Sequence, residues 1–299
     1  MLSRCIILLI AALLTSVLFV SAAVLDSQQR PVKIVTSFYP LYIMAINVVK
    51  DSPGVRVKNL TSSTAGCLHD YSLSAADMKK IADADILIAN GAGMESFLSR
   101  ITGQYPRLKV ITLSDGIPLI KAPGQSGDNP HIWVSISGAI AEVNRLGVEL
   151  AKADPGRAAI YAKNTQVYVS ALESLQIKMH FALLPFKGQK IITFHEAFPY
   201  FAQEFGFKIA AVIEREPGSN PSGRDIADTI DLVKKTGIPA LFIEPQYPAL
   251  AAATISRETG ARLYTLDPAV TGPMTADAYI QIMEKNLQVM KQALQAEVQ

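Results

Sequence analysis

Two stretches of this chain alternate short apolar runs with amphipathic segments, and that alternation restricts the fold more than any other feature. Residues 32–37, 55–60, 86–89 and 110–113 are rich in β-branched residues, and the first of them ends in small polar ones. Residues 190–193, 209–212, 240–243 and 263–266 repeat the pattern. Strands that are apolar on both faces, with helices between them, build parallel sheets covered on both sides. Between the two stretches Asp154-Pro155 opens a segment that runs to about residue 183 with no breaker beyond Gly156. Ile160, Tyr161, Val167, Leu172, Leu175 and Met179 recur there at three- and four-residue steps, which predicts one helix of about 28 residues, on the order of 42 Å long. The expected fold is therefore α/β: two Rossmann-like lobes with parallel sheets, residues 24–154 and 185–299, joined by a long rigid linker helix over 155–184.

The start of the sequence is of another kind. Arg4 precedes an apolar run over 6–20, and Ser21, Ala22 and Ala23 follow it, so residues 1–23 read as a secretory signal peptide and not as a membrane span. No membrane span is expected after its removal. Cys5 would leave with the peptide, and Cys67 alone cannot make an internal disulfide, so burial must hold the fold. With 49% hydrophobic residues in 299, there is enough apolar material for that. A net charge of +2 with both signs scattered gives no surface for nucleic acid or an acidic membrane.

Histidine is scarce, four residues in all, and three of them fall about sixty residues apart in loop-like segments: His69, His131 and His195. Ligand groups of an α/β sheet gather at the carboxyl ends of its strands. His195 follows the run 190–193 and Asp267 follows the run 263–266, so one lobe offers an imidazole and a carboxylate to a common edge. A single histidine after a strand is ordinarily a satisfied structural residue; its recurrence in both lobes favours a metal site, since neutral imidazole suits borderline-soft divalent cations. The fourth, His180, lies on the predicted helix among Met179, Phe181 and Leu183 and reads as structural or solvent-facing. Other chemistry fails on inspection. Gly91-x-Gly93 has Ser96 at the third glycine position, His195-Glu196 has Pro199 where a second zincin histidine would stand, and no G-x-S-x-G element occurs.

His69-Asp70-Tyr71-Ser72-Leu73, Asn90-Gly91-Ala92-Gly93-Met94-Glu95, Asn129-Pro130-His131-Ile132-Trp133, the segment from Phe194 to Phe201, and Leu266-Asp267-Pro268 together resemble the ordered motifs of the metal-binding solute receptors of ABC importers. Within that group the pattern most resembles the periplasmic zinc-uptake receptors. The resemblance implies a non-enzymatic, monomeric periplasmic protein that takes up a metal ion between two lobes and passes it to an inner-membrane ABC permease. It implies His69, His131 and His195 as ligands, with Asp267 completing the shell. Relatives that carry manganese resemble the pattern with a carboxylate at the position of His195; histidine there points to Zn2+, because nitrogen suits zinc and oxygen suits manganese. Mn2+ or Fe2+ is the alternative cargo. A secreted zinc hydrolase, with Glu196 as base and water in the fourth place, is the rival from another class. Two departures stand out: residues 122–128 hold no histidine where zinc receptors often have a metal-gathering loop, and Cys67 stands two residues before His69. Cys67 is expected to face away from the site.

Overall fold

The computed structural model describes residues 30–68, 71–121, 127–213, 221–246 and 249–295. The proposed signal peptide lies outside these residues.

In the first half, β1 (Val32–Thr36), α1 (Tyr39–Val48), β2 (Val55–Asn59), α2 (Ala75–Ala82), β3 (Ile86–Ala89), α3 (Leu98–Gln104) and β4 (Lys109–Thr112) alternate as the sequence predicts. The strands form one parallel sheet in the order β2-β1-β3-β4. β3, Ile-Leu-Ile-Ala, is buried at every residue, which is why it carries no polar alternation. Ser74 caps α2 by accepting from the Asp77 N–H, while the Asp77 carboxylate accepts from the Ser74 N–H, a reciprocal pair that fixes where the helix starts.

α4 (Ile136–Ala153) and α5 (Ala158–Leu183) follow, separated by a short 3-10 turn. α5 has 26 residues, which at 1.5 Å per residue is about 39 Å. Its buried stripe is Tyr161, Thr165, Tyr168, Leu172, Leu175, Met179 and Leu183. Val167, expected on that stripe, is 64% exposed: it lies one residue, about 100° of helix, away from Tyr168. Full burial of each large apolar side chain on this stripe contributes roughly 1.5–3 kcal/mol. His180 is half exposed, with its ring against Phe205 and Nε2 3.5 Å from Glu204 Oε1, in keeping with a structural role.

The second half repeats the first: β5 (Lys190–Thr193), α6 (Pro199–Phe205), β6 (Lys208–Val212), α7 (Gly223–Thr236), β7 (Ala240–Ile243), α8 (Leu250–Thr259), β8 (Arg262–Thr265) and α9 (Ala278–Gln295). Its parallel sheet has the order β6-β5-β7-β8, the same topology. In both sheets the chain leaves the first strand to one side and crosses to the other, so the strands part at β1/β3 and at β5/β7, where open α/β sheets bind ligands. One apolar core runs through both lobes and α5; a smaller one, with Ile192, Leu241 and Ile255, lies within the second lobe. Among the described residues no helix is long and apolar enough to cross a membrane.

Candidate metal centre

His131 ends the segment Asn129-Pro130 and begins a 3-10 turn, Ile132–Val134, that leads into α4. It is 2% exposed. The Asn129 side-chain oxygen accepts from the His131 backbone N–H at 3.0 Å and lies 3.1 Å from His131 Nδ1. An amide oxygen only accepts, so Nδ1 carries the proton and Nε2 presents a lone pair. Asn129 is itself held by the other lobe, its Nδ2 donating to the Glu196 carbonyl at 2.9 Å and its carbonyl accepting from Tyr200 Oη at 2.9 Å. Asn90, just after β3, donates to the Pro130 carbonyl at 3.0 Å.

His195 lies beyond the carboxyl end of β5, and Glu244 directly follows β7, so the two flank the point where these strands part. His195 Nδ1 is 3.0 Å from Glu244 Oε1, with both side chains buried. The carboxylate accepts from Nδ1–H, the carboxylate–histidine arrangement that in metal sites orients the imidazole so that Nε2 can coordinate. The rings of His131 and His195 stand edge to face with centroids 5.0 Å apart.

Cys67 completes this group. Its Sγ is 3.7 Å from His131 Nε2, and one donor atom from each of Cys67, His131 and His195 lies within 4.8 Å of the others. The expectation that Cys67 faces away is overturned. Side chains two apart in an extended segment share a face, so its distance from His69 gave no reason to exclude it. His69, the predicted third imidazole, lies outside the described residues.

Asp267 follows β8 but is not one of the three donors gathered within 4.8 Å. Its backbone exchanges hydrogen bonds with the Asn286 side chain at 2.9 and 2.7 Å, and its Oδ1 accepts from the Ala269 N–H at 2.8 Å. Burial, with the charge of Glu244 as a further cause, pushes its pKa up to about 6. The aromatic residues beside the site are structural. Trp133 is fully buried and donates from Nε1 to the Pro268 carbonyl at 2.7 Å; Tyr71 Oη donates to Asp77 at 2.8 Å. The sequence reading missed Glu244, although a carboxylate directly after an apolar strand was the signal used for Asp267.

The sequence model of the family described as zinc-uptake complex component A, periplasmic, matches residues 34–293. The zinc-binding lipoprotein AdcA of Streptococcus pneumoniae is 28% identical over 308 residues, covering 97% of this chain and 61% of its own length, so this chain spans less than two thirds of that relative. The high-affinity zinc uptake system protein ZnuA of Bacillus subtilis is 27% identical over 290 residues, covering 90% of this chain and 89% of its own. Among solved structures, the Pseudomonas aeruginosa solute-binding protein FpvC in complex with Mn2+ superimposes with a TM-score of 0.81 at 30% identity, covering 90% of this chain and 100% of its own.

Proposed function

This chain belongs to the family of periplasmic zinc-uptake component A, and on that premise we propose that it is a metal receptor, not an enzyme, that captures zinc between its lobes and hands it to an ABC permease. The observation that carries the reading is the convergence of His131 from one lobe and His195 from the other, each with Nδ1 engaged by a fixed oxygen and Nε2 left to coordinate. We assign His69, His131 and His195 as ligands and Asp267 as the carboxylate that closes the shell. A closed shell separates capture from hydrolysis, which keeps a position open for water.

Nitrogen donors favour zinc over manganese or iron(II). The metal-bound FpvC structure carries Mn2+, so manganese is the cargo against which zinc must be tested. The reading includes the division into lobes 24–154 and 185–299 about a linker at 155–184, a monomeric state and a periplasmic location.

The test is calorimetric titration of the purified chain with zinc. One equivalent should bind and raise the melting temperature, because a ligand held only by the folded state stabilises it by mass action. His131→Ala and His195→Ala should each lose affinity far more than Asp267→Ala, since zinc accepts water as its fourth ligand. Absence of binding, or binding unaltered by both histidine substitutions, rejects the receptor reading; equal losses in all three variants reject Asp267 as a ligand that water can replace, and no loss in Asp267→Ala rejects it as a ligand.

A further inference from the structure

We propose that Cys67 is a thiolate donor to the captured ion and that it biases the receptor toward thiophilic cations, zinc and cadmium, and against manganese. This rests on the receptor reading above and departs from it at one position, with the Cys67 sulfur in place of the Asp267 carboxylate as the anionic ligand that closes the shell. The motif resemblance supplies three imidazoles and a carboxylate; the geometry supplies sulfur.

The distance between the donors carries the argument. With Zn–S about 2.3 Å and Zn–N about 2.05 Å at tetrahedral angles, the S···N edge of a zinc site is about 3.6 Å. Cys67 Sγ and His131 Nε2 are 3.7 Å apart. An ion in tetrahedral contact with both would need almost no movement of either side chain. The third donor, from His195, is already within 4.8 Å of both. The Asn129 and Glu244 contacts turn Nε2 of each imidazole toward that space, so the three donors surround one point from two lobes. Asp267, by contrast, is occupied with the Ala269 N–H and lies outside the group.

On binding, the thiol releases its proton to solvent and the sulfur lone pair forms the bond to the metal, so a dication gains one negative ligand. Thiolate is a soft donor that zinc and cadmium accept and that manganese, which favours oxygen, does not. Sulfur at position 67 thus raises discrimination against manganese beyond what the imidazoles provide.

Cobalt(II) is the probe, because it occupies zinc sites and reports a sulfur ligand by thiolate-to-metal charge-transfer absorption in the near ultraviolet. The full chain is titrated with cobalt under anaerobic, reducing conditions, and zinc and manganese dissociation constants are measured for wild type and Cys67→Ser in one buffer. The expected result is one equivalent of cobalt with the charge-transfer band in wild type, and cobalt binding without the band in Cys67→Ser. The zinc-over-manganese preference should fall by at least about tenfold in the variant, since even groups outside the ligand shell carry 10–100-fold effects. One bound equivalent with no band in wild type overturns the role of Cys67 and leaves the receptor reading standing. No binding of any metal overturns both. A band with an unchanged preference overturns the selectivity argument. If Cys67→Ser does not fold, the wild-type spectrum still decides ligation.

Discussion

Asp267 holds its proton to about pH 6 because burial and the nearby Glu244 charge disfavour the ionised form. Its ordinary value is 3.8. Between those limits the folded chain binds a proton that the unfolded chain has released, so metal-free stability falls as pH rises from about 4 through 6. At neutral pH the penalty is at most about 3 kcal/mol, from 1.36 kcal/mol per pKa unit. Asp267→Asn should therefore raise the metal-free melting temperature at pH 7 and leave it unchanged near pH 4, as read by thermal unfolding in chelator; equal effects at both pH values contradict the account. The positions of His131 and His195 were legible because histidine is rare here and strand ends are where α/β sheets bind. Glu244 was equally legible, by the strand-end rule that found Asp267. What the sequence hid was the wiring: Asn129 fixes His131 only because Glu196 and Tyr200 of the other lobe hold Asn129 in turn.

At the scale of elements, the existence and length of α5 could be read from the absence of breakers, but its phase could not. Which stripe is buried depends on what packs against it, and α4 lies along much of α5 at close range. Gly147 of α4 permits that approach: a Cβ there would stand 2.2 Å from Thr165 Oγ1 and 3.0 Å from Thr165 Cβ. The Thr165 Cβ does not move with χ1, and Thr165 Cγ2 is also 3.0 Å away, so the contact is not relieved by a rotamer change alone. Gly147→Ala should destabilise by about 1–3 kcal/mol, the usual cost of overpacking, despite alanine's better helix propensity. Adding Thr165→Ala should recover part of that loss, giving a favourable coupling energy in denaturant unfolding of the double-mutant cycle. Additive losses would place the strain elsewhere.

Taken whole, the molecule has lobes joined by more than the helix. Trp133 Nε1 donates to the Pro268 carbonyl at 2.7 Å, Tyr279 Oη to the Trp133 carbonyl at 2.8 Å, and Tyr39 Oη to the Pro273 carbonyl at 2.8 Å. Each of these bonds runs between the halves, and Trp133, Tyr39 and Tyr279 are all buried in the core that spans both lobes. Buried bonds of this kind cannot be exchanged for water without opening apolar core, so a wide hinge opening would expose much of what stabilises the fold. The same clamp holds His131 beside His195, so the ion is expected to enter a formed site with little movement of the lobes. Small-angle scattering of metal-free and zinc-loaded protein should give radii of gyration that agree within about 1 Å, as in other pre-organised complexes. Trp133→Phe, which deletes the indole donor and keeps an aromatic ring, should widen that difference and slow metal capture. A compaction of several ångströms in the wild type would mean that the lobes separate without metal and that the ion, not the clamp, assembles the site.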